Sequence, residues 1–249
     1  MRRLLAGTAL LVASALPGLS EGLTDMTPAE REAFRAEVRA YLMEHPEVLM
    51  EAISVLEGRE QAAAAEQDQQ LLAKYRDAIF NDPASWVGGN PDGDITVVEF
   101  IDYRCGYCRK AWEEVDQLIE QDGNIRFVLK EFPILGEQSV LSSRFAIAVL
   151  QLHGPQAYRT AHDALLTLRS DATPEALLRL AEDLGLEPQP IMERMNAPEV
   201  TKVIEDNHKL AQALNVSGTP TFVIDGTFVR GYVPLEGMQQ IVAEQRADG

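Results

Sequence analysis

The chain is poor in the side chains that build metal sites and crosslinked frameworks. Its 249 residues include two cysteines and four histidines. No second Cys-x-x-Cys accompanies Cys105 and Cys108, and His45, His153, His162 and His208 are scattered without ligand spacing. A structural zinc site takes four ligands, so no metal is expected. Basic residues are also scarce: 22 Lys and Arg against 39 Asp and Glu leave a formal net charge of −17. A surface of that sign repels phosphate backbones and anionic lipid, which argues against nucleic acid as a partner. After residue 20 no apolar run approaches the ~20 residues of a membrane span. No internal repeat is visible, and the one low-complexity piece is residues 62–65 with a Gln-rich flank. What remains is a globular composition, 46% hydrophobic and 24% charged, long enough to bury a core without disulfide staples.

The first twenty residues carry their own expectation. Arg2 and Arg3 precede an uncharged stretch containing "LLAGTALLVASALPG", and small residues surround position 20. This is the pattern of a secretory signal peptide over residues 1–20. The alternative, a membrane anchor, meets an apolar core that is too short and is interrupted by Pro17-Gly18. The chain is therefore expected to be exported to the periplasm and to be soluble there after cleavage. In an oxidising compartment, two cysteines three positions apart point to redox chemistry.

Residues 27–80 read as a helical module. Thr27-Pro28-Ala29-Glu30 is a start signal, with a capping Thr, Pro in the first turn and Glu at the third helical position. Phe34, Val38, Tyr41 and Leu42 recur at helical spacing, Pro46 interrupts, and Val48, Leu49, Ala52, Ile53 and Leu56 form a second stripe. Residues 58–70 favour helix but offer no apolar face. Leu71, Leu72, Tyr75, Ile79 and Phe80 bring apolar residues back. The module is too small to bury its own stripe, so it packs on the main domain or on a copy of itself. Self-association into a homo-oligomer is the expectation carried forward.

The character changes at Pro83, where a main domain over 83–249 begins. "SWVGGNPDGD" reads as turn-rich. Residues 95–102, "ITVVEFID", form a strand apolar enough to be buried on both faces. A helix ending at Gly123 and a strand over 125–134 complete a βαβ unit, so these two strands should be parallel. Residues 138–215 are helical throughout, in segments 138–152, 155–169, 174–184, 189–195 and 198–214. "TPTFVIDGTFVRGY" reads as a hairpin around Asp225-Gly226, and "PLEGMQQIVAEQR" as a closing helix.

The chemistry concentrates in "RCGYC". Cys105 stands at a strand-to-helix turn, where unpaired N–H groups and the helix dipole favour a thiolate. Arg104, Arg109 and Lys110 add positive charge nearby, and both effects lower the Cys105 pKa. Cys108 lies one turn further in, more buried and less reactive. Cys105 therefore attacks or is attacked, and Cys108 resolves the mixed disulfide. Gly106 lets another backbone approach, and Tyr107 offers an aromatic face or a hydroxyl. A purely structural disulfide across so short a loop would add little stability. No cofactor is needed beyond the redox-active Cys105–Cys108 pair.

Two further features support redox work. Thr219-Pro220 precedes a strand, and X-Pro bonds are the ones that readily become cis. Beside the cysteines, a cis Pro220 would present backbone groups to an extended peptide; the alternative is an ordinary edge-strand proline. Glu99 is an acid in an apolar strand, costly unless it has a task. It could hold a proton or water for the Cys108 thiol. Lys130, on the next strand, could pair with it, or could be a surface lysine.

"GNPDGDITVVEFIDYRCGYCRK" and "VSGTPTFVIDG", with helices between them, resemble the DsbA-like branch of the thioredoxin superfamily. The resemblance implies an α/β thioredoxin fold with an inserted all-helical domain and, here, an N-terminal helical extension. It also implies that Pro220 is cis and that Glu99 is the buried acid beside the active site. "YLMEHPEVLMEAI" resembles the extension of the ScsC subgroup, named for suppression of copper sensitivity, and of related Com1-type proteins. That likeness implies a thiol–disulfide oxidoreductase acting on cysteine-containing exported clients, oligomeric and of isomerase or reductase type, with a membrane redox partner resetting the pair. A DsbA-type dithiol oxidase is the second reading, and a copper-binding chaperone using the cysteines as Cu(I) ligands is a third of another class.

Overall fold

A computed structural model describes residues 26–248; the proposed leader, residues 1–20, lies outside them. The chain divides into two compact units, Met1–Gln61 and Ala62–Gly249.

In the first unit, helix α1 (Pro28–Glu44) starts at a reciprocal cap. Thr27 Oγ1 accepts from the Glu30 N–H, and Glu30 Oε2 accepts from the Thr27 N–H at 2.8 Å. Two otherwise unpaired donors are thereby satisfied. Pro46 follows the end of α1, and α2 (Glu47–Lys74) begins at once. No residue of α1 is buried. Phe34, Val38, Tyr41, Leu49, Ile53 and Leu56 are all exposed.

The second unit is built on a five-stranded sheet: β1 (Trp86–Gly89), β2 (Ile95–Ile101), β3 (Ile125–Glu131), β4 (Thr221–Ile224) and β5 (Thr227–Arg230). The order is β1-β3-β2-β4-β5. Strands β2 and β3 run parallel, and the other pairs are antiparallel. Helix α4 (Gly106–Asp122) makes the crossover between β2 and β3. Helices α5 (Glu137–Thr167), α6 (Pro174–Asp183), α7 (Pro188–Arg194) and α8 (Pro198–Ala213) are inserted between β3 and β4, and α9 (Leu235–Asp248) closes the chain. Gly154 breaks α5 with φ 82° and ψ −175°. That left-handed φ suits glycine and matches the division expected at Gly154-Pro155.

Alternation along β2 and β3 sorts side chains onto two faces. Ile95, Val97, Ile101, Ile125, Phe127 and Leu129 belong to a core shared with α4, α5 and α9. Val98, Phe100, Val128 and Phe132 face the other way. There Leu72 and Ile79, from α2 and α3 (Arg76–Phe80), cover them together with Leu210 and Leu214. Burying a side chain of this size contributes about 1.5–3 kcal/mol, so the stripe at 71–80 is core.

Two expectations change. The turn-rich segment contains β1, paired with β3 from Trp86↔Leu129 to Gly89↔Arg126. Gly88 reflects the space taken by Trp86, since a Cβ there would stand 2.0 Å from the indole ring, and Gly89 the close approach of the Ile125 carbonyl. That indole stacks on Tyr158 and donates to the Pro155 carbonyl at 2.9 Å. The strand expected over 125–134 stops at Glu131. Beyond it, the N–H groups of Ile134 and Leu135 turn to the Asp102 carboxylate.

Candidate active site

The loop leaving β2 is organised by Asp102, which is fully buried. Its Oδ1 accepts from the Arg104 N–H at 2.8 Å. Its Oδ2 accepts from the N–H groups of Ile134 at 2.8 Å and Leu135 at 3.0 Å. The Asp102 carbonyl accepts from the Cys105 N–H at 3.0 Å. Four bonds thus fix the turn that delivers Cys105 to the N-cap of α4, where its backbone is extended (φ −73°, ψ 120°).

Cys105 is 7% exposed and Cys108, one turn in, is fully buried. Both are free thiols. Their acidities are driven apart. The Cys108 thiol donates to the Cys105 sulfur, and this is the largest influence lowering the Cys105 pKa to about 5. Burial opposes it; Thr219 and the N–H groups of Cys108 and Tyr107 add to it. The helix N-terminus therefore acts through specific donors, as expected for a thiolate there. Burial pushes the Cys108 thiol far up, and the hydrogen bond to Cys105 and the charge of Glu99 push it further.

The flanking cations are engaged elsewhere. Arg104 Nη1 donates to the Ser170 carbonyl, and Arg109 Nε to the Tyr103 carbonyl at 2.9 Å. Lys110 lies 4.2 Å over the Tyr232 ring. Gly106 is exposed, with nothing near the position a Cβ would take. Tyr107 is 62% exposed and stacks on Tyr232, so it presents its ring.

The segment before β4 comes to the same place. The Thr219–Pro220 peptide is cis, and the Thr219 carbonyl lies 3.1 Å from the Cys105 sulfur, accepting from it when the thiol is protonated. Residues separated by 114 positions thus meet at the nucleophile.

Glu99 is 3% exposed, on the face of β2 that carries the core around the cysteines. Burial, helped by the charges of Asp116 and Cys105, raises its pKa to about 8. Lys130 does not pair with it. In the register Glu99 faces Leu129 and Phe100 faces Lys130, so the side-chain period of two sends Lys130 to the opposite face. There it is fully buried, and Nζ donates to Asp82 Oδ2 at 2.7 Å and to the Ala78 carbonyl at 2.8 Å. Neither the pair with Glu99 nor the surface lysine survives. Among the described residues, no group of three or more His, Cys, Asp or Glu is arranged to hold a metal.

Asp102 and Asp116 were not singled out in the sequence. Asp102 ends an apolar strand just before the Cys-x-x-Cys, a position that could have marked it. Asp116 lies mid-helix, paired with Arg159, and carried no such signal.

This geometry accompanies a match between residues 96–243, more than half of the chain, and the DsbA-like thioredoxin domain. The chain belongs to the DsbA-like thioredoxin family. A second match, over residues 30–63, is to the N-terminal domain of the copper resistance protein ScsC. Among solved structures, a thioredoxin-like oxidoreductase from Silicibacter pomeroyi DSS-3 is 43% identical, with a TM-score of 0.65, over 69% of this chain and 98% of its own. ScsC from Proteus mirabilis, in a transitional conformation, is 28% identical, with a TM-score of 0.66, over 90% of this chain and 99% of its own. A sodium/proton antiporter, NhaA 1 of Salinispora arenicola, is 30% identical over 157 residues, which is 63% of this chain. The chain spans about a quarter of the length of such curated relatives, 24% in that case. The DsbA-like family is one of thiol–disulfide oxidoreductases, and the two free thiols stand at its strand-to-helix turn. Among the described residues, no helix is long and apolar enough to cross a membrane.

Proposed function

We propose that the protein is a periplasmic thiol–disulfide oxidoreductase that exchanges disulfides in exported proteins. Cys105 is the nucleophile, and Cys108 resolves the mixed disulfide. The observation that carries this reading is the placement of the two thiols: Cys105 at the N-cap of α4 with the cis Thr219–Pro220 segment against it, and Cys108 fully buried one turn further in. Their acidities are opposed accordingly, Cys105 near 5 and Cys108 far above its usual range. The Cys105 thiolate attacks one sulfur of a client disulfide. An S–S bond forms to the client, and the other client sulfur leaves as thiolate. Cys108 then loses its proton, with Glu99 as the nearby acid–base group. Its attack on the Cys105 sulfur releases the client dithiol and leaves Cys105–Cys108 oxidised. A membrane redox partner resets the pair.

Isomerase or reductase action by a homo-oligomer is the finer reading. It is supported by the exposed apolar residues of α1 and α2, which a second copy would cover. The dithiol oxidase is the second reading, favoured by the low Cys105 pKa, since a stabilised thiolate favours the reduced form and makes the disulfide oxidising.

Refolding of scrambled ribonuclease tests the choice, using the full chain and its Leu49→Asp/Ile53→Asp variant, with the solution mass of each. Isomerisation that falls with loss of oligomer supports the lead reading. Equal isomerisation by a monomeric variant sinks the oligomer's role. Failure of the wild type to isomerise, with rapid oxidation of reduced ribonuclease, establishes the oxidase.

A further inference from the structure

A second buried acid lies on the cysteine-bearing face of the sheet and takes no part in the exchange described above. Glu131, at the end of β3, is 3% exposed. Its Oε1 accepts from the Tyr103 hydroxyl at 2.8 Å and from the Tyr158 hydroxyl at 2.6 Å. The Tyr103 oxygen also lies 3.1 Å from His162 Nδ1. With the Tyr103 hydrogen committed to Glu131, that ring nitrogen is the donor. The Glu131 carbonyl accepts from Asn207 Nδ2 at 3.0 Å. Its second oxygen, Oε2, is buried without a hydrogen-bond partner.

The partners come from separate parts of the fold. Tyr158 and His162 lie on α5 after the break at Gly154, and Asn207 lies on α8. Tyr103 lies in the loop two residues before Cys105, and its carbonyl accepts from Arg109 in the first turns of α4. A displacement of Tyr103 is therefore passed to the backbone that carries the nucleophile.

We propose that Glu131 is a positioning residue for Cys105, holding the nucleophile's loop against the inserted helices through the Tyr103 hydroxyl. It touches neither sulfur. Ionised, it is an acceptor only, and both tyrosines donate to it through charge-assisted bonds. Protonated, it weakens those bonds and carries a hydrogen of its own.

The surrounding groups make Glu131 the member that changes charge near neutrality. Burial and the charge of Asp102 at the end of β2 raise its pKa to about 7, against the donors Tyr158 and Tyr103. On α5, burial holds His162 neutral, with a pKa near 3, and Arg159 adds to the effect. Tyr103 and Tyr158 stay protonated because burial and Glu131 push both well up; Glu99 on β2 adds to the push on Tyr158. From α8 the uncharged amide of Asn207 reaches the cluster.

The inference rests on the proposed exchange activity, and the test separates the two. Glu131→Gln and Tyr103→Phe are compared with the wild type from pH 5 to 9. Two readouts are taken: thiolate absorbance of Cys105 at equilibrium, and the rate of reaction with glutathione disulfide. Both variants are expected to shift the Cys105 titration by about half a pH unit or more. Both should also remove an inflection near pH 7 from the rate profile. Superimposable titrations and profiles in folded variants would overturn the proposal. So would loss of the inflection in Glu131→Gln with Tyr103→Phe unchanged, which would assign Glu131 a direct charge effect. If Glu131→Gln does not fold, Tyr103→Phe decides alone. A wild type inert toward glutathione disulfide defeats the exchange reading, while the absorbance titration still decides the role of Glu131.

Discussion

Asp82 reaches the ammonium of Lys130 at 2.7 Å, joining the turn after α3 to the middle of the sheet. Lys130 is fully buried, while the Asp82 side chain is 25% exposed. Burial pushes the Asp82 pKa up, and the hydrogen bond and charge of Lys130, with the Ala84 N–H and the Ser85 hydroxyl, together more than offset this, so the net effect is a lowered value. Asp82→Asn leaves a buried cation without its counter-charge and should destabilise the fold by about 3–5 kcal/mol. Adding Lys130→Met should recover much of that loss, because no charge is then buried. Urea unfolding midpoints of the single and double variants check both statements. The pair's contribution is present above the ordinary carboxylate range and lost as pH falls through the lowered Asp82 value.

The Cys105 thiolate links redox state to stability. Its folded pKa, about 5, lies below the ordinary thiol value of 9.0. A depressed pKa stabilises the folded reduced protein fully above pH 9, and the contribution fades as pH falls from 9 to 5. The melting temperature of the reduced form, relative to the oxidised form, should therefore drop between pH 8 and pH 5. A constant gap between the two melting curves would contradict the assignment. Cys108→Ala removes the strongest donor to Cys105 and should move the thiolate titration upward.

Glu99 behaves in the opposite sense. Its pKa is raised to about 8 from 4.5, so the unfolded chain gives up this proton first. Stability from this group is full below pH 4.5 and is lost as pH rises toward 8. Glu99→Gln should therefore stabilise the protein by roughly 4 kcal/mol at pH 8 and change little at pH 4. The same variant should slow release of a mixed disulfide by about tenfold or more, if Glu99 takes the Cys108 proton. Quenched-reaction mass measurements would show the client adduct accumulating; unchanged adduct lifetime would remove Glu99 from the reaction.

The first unit gives a prediction of a different kind. Ile53 and Leu49 are exposed among apolar neighbours on α2. Leu49→Asp/Ile53→Asp should reduce the solution mass without moving the Cys105 titration. Analytical ultracentrifugation and thiolate absorbance read the two outcomes separately.

The parts of the fold legible in the sequence were those set by local pattern. The apolar run of β2, the turn at Cys105, the hairpin around Asp225-Gly226 and the break at Gly154 each lie within a few residues. Strand β1 was hidden because Gly88 and Gly89 look like turn residues until the indole of Trp86 is seen to occupy the space above Gly88. Lys130 was misplaced because the order of strands does not reveal which neighbours share a face; the register decides that. Glu131 follows Leu129 by two positions and is an acid in an apolar strand, like Glu99. The same alternation that directs Lys130 away would have marked Glu131 as facing the core. Its tyrosine partners, 27 and 28 positions away, have no local signature.

The sheet ends on two four-residue strands, β1 and β5. At the end of β5, Arg230 is held by both oxygens of Asp68 at 2.8 Å. Short margins with a charged clasp provide little template for another chain's strand to extend. For a protein proposed to handle partly unfolded clients, this is protection against co-aggregation. In the proposed exchange a client would be held by its sulfur and released, while the short, clasped margins give its exposed strands little to pair with.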